Sequence, residues 1–237
     1  MKRERDPWLG AAALPGLAID HIGIVVADCM PVVALLRGHG FQVSDPEPLI
    51  GPEGPLGQAS AHCVFANGYV EISAPDPNSD NHLLPLLARG EGIRILVLRS
   101  ADAAGDHARL EAGGLTAGPV RAASRIVRLP EGEAIARFQW FPVANRLPGV
   151  LIAMAEHRDA ALVFASALRA HPNGANRLHD VLLAPAAAAL GPLATAAGNA
   201  AQALIGQGPT APIHGLSATG IPGLTLDHTA FALRGIA

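Results

Sequence analysis

Charge, lysine, cysteine and aromatic side chains are all scarce in this sequence, and each shortage excludes something. Charged residues fill 16% of 237 positions while 50% are hydrophobic, against about 25% charged in ordinary soluble domains. Disorder requires the reverse combination. A formal net charge of −3 speaks against a nucleic-acid partner, which is normally met by a basic face that displaces counterions from phosphates. Lys2 is the sole lysine and the remaining basic residues are arginine, alongside heavy use of alanine. That bias fits a gene of high GC content, so an arginine is weak evidence for a site. Cys29 and Cys63 are too few for a disulfide framework or a structural zinc site. They read as small apolar residues in a reducing cytoplasm.

Long apolar spans are also missing. Trp8 to Leu14 is short and stops at Pro15-Gly16, which makes no convincing signal peptide. Val181 to Leu226 carries no Asp, Glu, Lys or Arg, yet Pro185, Gly191, Pro192, Gly198, Pro209 and Pro212 interrupt it. A spanning helix needs ~20 mainly apolar residues. No membrane partner is expected, and the segment reads as a packing element over the second half of the chain.

What is present is a repeated order of elements. Leu17 to Asp28 reads as a buried strand rich in β-branched residues. A helix Met30 to Arg37 follows, with Pro31 in its first turn and Gly38 at its end. Then come an extended Phe41 to Val43, a Pro/Gly loop Asp45 to Gly57, a strand Ser60 to Ala66, a hairpin turn at Asn67-Gly68 and a strand Tyr69 to Ser73. After a connector, Ile93 to Leu98 is a strand and Ala101 to Ala112 a helix closed by Gly113-Gly114. Strands follow at Arg125 to Leu129, Ala134 to Phe141 and Val150 to Met154. Placing Asp28 over Asp102 aligns two βαβββ units. Asn176 to Ala184, an Ala-rich helical stretch and a strand near Leu224 to Leu233 suggest a degraded third. The expected divisions are a tail 1–16, modules 17–75 and 93–158 joined by 76–92, and a partial module 159–237.

Alternation along the first strand puts Ile19, His21, Gly23 and Val25 on one face and Asp20, Ile22 and Ile24 on the other. Tyr69, Glu71 and Ser73 share a face of the last strand of the unit. A glutamate mid-strand is costly to bury without a partner. With a histidine nearby, a site for Fe, Mn, Ni, Co or Zn is one reading; a solvated Glu71 and a satisfied core histidine are the other.

The string Ile-Asp-His-Ile-Gly-Ile-Val-Val-Ala-Asp at 19–28, Asn-Gly-Tyr-Val-Glu-Ile at 67–72, His-Pro-Asn-Gly-Ala at 171–175 and the repeat resemble the vicinal oxygen chelate superfamily, more narrowly its glyoxalase-like domain group. The resemblance implies an α+β fold in which paired βαβββ modules form an open, cupped mixed β-sheet with helices outside. It implies a divalent metal held by His21 and Glu71, the metal polarising a substrate oxygen pair. The second module departs from the pattern: Ile95 matches His21, and Ile152 or Ala153 matches Glu71, which leaves His157, with Glu156 beside it, as the third candidate ligand.

His62, on the strand antiparallel to that of Glu71, is a candidate acid/base or ligand, and Glu71 is a catalytic candidate beside it. Arg94 or Arg99 could grip a substrate carboxylate, Arg99 reading more simply as solvated. His171 serves either a turn or the cup mouth, and His179-Asp180 reads as a degraded, structural copy of Asp20-His21. Dinucleotide, phosphate-loop, serine-elbow and His-Glu-x-x-His motifs are absent from the sequence.

The expected function is a metal-dependent lyase, isomerase or dioxygenase acting on a small oxygen-rich substrate. The alternative is a metal-free cup that sequesters a ligand, as bleomycin-resistance proteins do, and a third is a dead cup that acts only by assembling. The modules pair either within one chain or across a homodimer.

Overall fold

The structure, a computed structural model, describes residues 19–144, 149–183, 213–219, 224–227 and 233–235. Both expected strand-to-helix junctions are helix starts, each built around an aspartate. β1 (Ile19–Val25) leads to α1 (Met30–Gly38), where the Asp28 carboxylate accepts from the Met30 N–H at 2.9 Å and Pro31 occupies the first turn. β2 (Glu47–Gly51), β3 (Gly54–Val64) and β4 (Tyr69–Pro75) complete the first unit, and α2 (Leu84–Leu87) is a single turn in the connector. β5 (Gly92–Arg99) leads to α3 (Ala103–Ala112), whose N-cap Asp102 accepts from the Gly105 N–H at 3.0 Å. β6 (Arg121–Leu129), β7 (Gly132–Val143) and β8 (Leu151–His157) complete the second.

The eight strands form one mixed sheet in the order β1-β4-β3-β2-β6-β7-β8-β5, closed on itself. β1 and β4 are parallel, as are β5 and β8; the other neighbours are antiparallel. The modules therefore pair within one chain. The cup is more closed than its expected open form, but the two closures differ. β1 and β5 pair along their length with Gly23 opposite Ile95, whereas β2 and β6 meet only at Ile50 and Ser124.

Alternation sorts the side chains into two layers. Ile22, Ile24, Leu96, Ile152 and Met154 face outward into a core with Val33 and Leu36 of α1 and Leu110 of α3. Val25, Ile95, Val97, Ala153 and Ala155 face the barrel interior and pack with Leu83. After β8 come α4 (Ala160–Val163) and a 3-10 turn, Ser166–Arg169. A separate four-stranded sheet follows, in the order β12-β11-β10-β9, from β9 (Arg177–Leu183), β10 (Ile213–Thr219), β11 (Leu224–Asp227) and β12 (Leu233–Gly235). The expected Ala-rich helical stretch lies outside the described residues.

Three local expectations need correction. Phe41–Val43 is not a strand, and the Pro/Gly stretch read as a loop is instead β2 and the start of β3, paired from Glu47 and Ser60 to Gly51 and Gly54. Pro48 and Pro55 masked the hairpin; Pro48 is tolerated because β2 is almost an edge strand toward β6, and Pro55 because the β3–β4 ladder stops at Gln58. The second helix starts at Ala103 rather than Ala101, because the Asp102 cap fixes its first turn.

The third correction concerns Asn67-Gly68. The last β3–β4 pair is Val64 with Tyr69, and Phe65 N–H donates to Gly68 O at 2.8 Å across a longer turn, with no positive φ at Gly68. The glycine is needed for space: a Cβ there would lie 2.7 Å from the Asp20 carbonyl oxygen. The Asn67 amide pairs both ways with the Leu178 backbone, at 2.7 and 2.9 Å, so the turn pins the start of β1 and the start of β9 together.

Gly68→Ala is therefore expected to cost about 1–3 kcal/mol in urea denaturation, the usual penalty of overpacking against an immobile group. Gly38→Ala, where a Cβ meets nothing within 4 Å, serves as the contrast and should be neutral or slightly stabilising. Equal effects from the two would contradict the steric account.

Candidate active site inside the barrel

The sheet brings His21 (β1), His62 (β3) and Tyr69 and Glu71 (β4) into one interior cavity of about 70 Å³. A water needs roughly 10–15 Å³ of such space, so there is room for a small organic group. The lining is divided. The first module supplies the polar wall of His21, His62, Glu71 and Gln58, and the second supplies Ile95, Val97, Ala153, Ala155, Phe138 and Trp140, with Arg125 of β6 as its charged exception.

Glu71 is buried and ionised. Its Oε2 lies 3.2 Å from His21 Nε2, and its Oε1 accepts from Ser73 Oγ at 2.8 Å, Ser73 in turn meeting Ser60 at 2.8 Å. Burial by itself would raise the Glu71 pKa, but the hydrogen bond and charge of His21 hold it far below the usual carboxylate range. On its other side the His21 ring meets Asp20 Oδ1 through Nδ1 at 2.8 Å, and the Tyr69 ring stacks on it at 4.3 Å. Burial would lower the His21 pKa, yet its bonds to Asp20 and Glu71 outweigh that and raise it to about 9. His62, opposite Glu71 in the β3–β4 register, has the opposite balance: burial and then the nearby Arg125 charge push its pKa well below 6.5. One imidazole is held protonated and the other neutral, with a single carboxylate between them.

Asp20 was expected on the face opposite His21. The β1–β5 register shifts between Ile19 and His21, and at this bulge the fully buried Asp20 carboxylate turns to the His21 side. It also accepts from Arg99 Nε at 3.0 Å and meets His157 Nε2 at 2.9 Å. Arg99, read as solvated, is thus ion-paired, and its guanidinium lies 4.7 Å over the Phe164 ring.

The remaining candidates do not converge on this cavity. His157 turns its Nε2 to Asp20, behind His21, and its Nδ1 is buried without a hydrogen-bond partner among the described residues. Glu156 points the other way and accepts from the Ala103 N–H at the start of α3. Arg94 donates to the Gly90 and Arg89 carbonyls in the connector. His171 has both ring nitrogens engaged, Nδ1 accepting from the Gln42 N–H and Nε2 donating to Val64 O, each at 2.9 Å, so it clamps the later segment to β3. No side-chain description reaches His179.

Arg125 went unnoticed in the sequence. Its alternation with Ala123 and Val127 was the available signal, since all three share the inward face of β6.

The superfamily resemblance implies a divalent metal, for which the donor set is short of ligands. Two cis ligands of one cation could sit as far apart as His21 Nε2 and Glu71 Oε2, but no group of three His, Cys, Asp or Glu residues able to hold a metal exists among the described residues. His157 is committed to Asp20, and the second-module wall offers alanine and isoleucine. The Asp20 carboxylate is already taken by Arg99 and His157, and His21 bridges it to Glu71. These residues do not fit a divalent cation.

Comparison with known proteins places the fold. A family model described as a glyoxalase-like domain matches residues 19–196. No curated protein matches the chain. A hypothetical protein from Staphylococcus aureus superposes with a TM-score of 0.54 at 9% identity, covering 70% of this chain and 69% of its own, which is a likeness of fold. A methylmalonyl-CoA epimerase from Mycobacterium tuberculosis (TM-score 0.42, 23% identity, 62% and 91% covered) and a hypothetical protein from Bacillus halodurans C-125 (0.44, 18%, 60% and 96%) are more distant in shape. Among the described residues, no helix is long and apolar enough to cross a membrane.

The charge pattern has a measurable consequence. The folded His21 pKa lies above its ordinary 6.5, so its stabilising contribution is complete below pH 6.5 and is lost as pH rises through about 9. Asp20 and Glu71 are shifted down, so theirs is present above the ordinary carboxylate values and lost as pH falls. Urea denaturation should show stability declining by about 2 kcal/mol between neutral pH and pH 9.5, and His21→Gln should flatten that decline. An unchanged slope in the variant would refute the assignment.

Proposed function

Since the chain belongs to the glyoxalase-like domain family, we propose that it is an enzyme of that group which moves a proton on a small, oxygen-rich substrate held inside the barrel. The observation that carries this reading is geometric: His21 bonded to buried Glu71 and His62 opposite Glu71 in the β3–β4 register line one cavity, and their surroundings shift the two imidazole pKa values in opposite directions. Groups whose environments push their pKa values apart are the natural acid and base of a site. Neutral His62 has a lone pair to take a proton from a carbon beside a carbonyl. Protonated His21, whose two N–H groups are given to Asp20 and Glu71, supplies a fixed positive charge beside the oxygen that becomes negative as that proton leaves, and His62 can hand the proton back. Glu71 and Asp20 hold the His21 ring between them and keep it charged. The apolar second-module wall excludes water and strengthens each of these interactions. Proton transfer is assigned to side chains because the donor set does not fit a divalent cation.

A second reading, a cup that holds a ligand without turning it over, draws on the apolar half of the lining, where Phe138 and Trp140 face the cavity. Its signature is tight binding, indifferent to chelator, with no chemistry.

Deuterium exchange separates the two. Small 2-oxo and β-dicarbonyl acids incubated with the protein in D2O should lose their C–H proton signal faster than in buffer, equally with and without chelator. His62→Gln and His21→Gln should each slow that exchange about a hundredfold or more. The rate should hold through neutral pH and fall as pH rises past about 9, where His21 gives up its proton. The proposal fails if no acid exchanges above background, or if His62→Gln exchanges as fast as wild type.

A further inference from the structure

Beside the imidazole pair lies a charged group that the proton-transfer reading does not use. Arg125 projects inward from β6, is 5% exposed, and its Nη2 is buried without a hydrogen-bond partner among the described residues. Its neighbour across the β6–β7 ladder is Ala136, which offers nothing to bond. The contact the structure gives the guanidinium is the face of Tyr69, 5.9 Å from the ring centroid. A guanidinium keeps its charge in any protein environment, and burying a charge without a bonded partner is costly. A buried polar group left unsatisfied in a native fold calls for an explanation, and an absent ligand is one.

The surroundings point to where such a ligand enters. Arg125 and His62 line both the inner cavity and a second, outer cavity of about 200 Å³. The outer cavity is bounded by residues of β2, β3 and β6, beside the seam where the barrel is closed by the single pair Ile50 and Ser124. Two other arginines line it, Arg37 and Arg128, and both are matched: Arg37 pairs with Asp45, and Arg128 with Glu47 and Glu133. Among the described residues lining that cavity, Arg125 is the arginine without a carboxylate partner.

We infer that Arg125 is the anion-binding residue of the barrel, gripping the carboxylate of a small organic acid that enters beside the β2–β6 seam, with the rest of the molecule against the apolar wall and its reacting carbon between His62 and His21. This rests on the proton-transfer reading for the reaction but not for the binding. A planar guanidinium presents two parallel N–H groups that match a carboxylate. Inorganic phosphate matches the fork equally well but is polar on every side, and its outer oxygens would lie unpaired against Ile95, Val97 and Ala153. A short carboxylic acid satisfies both walls. Sequence reading had put the carboxylate grip at Arg94 or Arg99; the first is spent on backbone carbonyls and the second on Asp20.

The test is binding of pyruvate, propanoate and malonate to the full chain, followed by NMR titration against their methyl esters and inorganic phosphate. Wild type should bind at least one acid and neither its ester nor phosphate comparably. Arg125→Leu should weaken that acid roughly tenfold to a hundredfold, with Arg125→Lys in between. Because the leucine variant alters the interior, its fold is checked by circular dichroism, and the ester comparison on wild type stands without any variant. The inference is overturned if no acid binds, if ester or phosphate binds as well as the acid, or if a folded Arg125→Leu binds like wild type. Acid binding that depends on Arg125 with no C–H exchange would sink the enzymatic reading alone. Exchange that survives Arg125→Leu unchanged would sink the anion site alone.

Discussion

The interior of this barrel is organised by one buried chain of charge, Arg99 to Asp20 to His21 to Glu71, with contacts of 3.0, 2.8 and 3.2 Å. Each member is affordable only because of its neighbours. Burial alone would raise the pKa values of Asp20 and Glu71; His157 and His21 hold the first down, and His21 above all holds the second. Removing one partner of such a set leaves an uncompensated buried charge, which costs far more than the intact pair contributes. The interior is therefore committed to its protonation pattern, and the opposed states of His21 and His62 follow from it.

The fold supports that chain unequally from its two halves. In the first module the inward positions of β1, β3 and β4 carry histidine, serine, glutamate and tyrosine, while in the second the inward positions of β5 and β8 carry isoleucine, valine and alanine. Two modules of one architecture have become a polar wall and an apolar wall. This division orients a small molecule: polar atoms toward β1, β3 and β4, carbon toward β5, β7 and β8. The β1–β5 closure is continuous and the β2–β6 closure is a single pair, so the wall is firm behind His21 and thin beside Arg125.

Much of this was legible in advance. The alternation that put His21 with Val25 and Tyr69 with Glu71 holds, because a residue's face is fixed by the pleat. The first helix start at Met30 was legible from Pro31 in its first turn, whereas the second was set two residues early because the Asp102 cap went unread. The β2–β3 hairpin was hidden because its prolines and glycines argue against strand locally, and only pairing with neighbours overrides them. Asp20 was placed on the wrong face because one bulge resets the alternation, and no pattern in Ile-Asp-His-Ile announces it. His157, Arg94 and His171 were read as site residues from type and position alone; each is instead engaged by partners remote in sequence, Asp20, the 89–90 backbone and the Gln42 and Val64 backbone.

The sequence alone, then, determined the βαβββ repeat, a mid-strand Glu71 that needs a partner wherever it is buried, and the family resemblance. All three depend on short-range periodicity or contiguous motif. What only the tertiary structure decided was the identity of that partner. Coulomb and hydrogen-bond energies fall off within a few ångströms, so whether Glu71 meets a cation or an imidazolium depends on which strands lie side by side and which residue slips at a bulge. The structure puts His21 against it, His62 across from it and Arg125 in the facing wall, an arrangement no spacing in the chain could have specified.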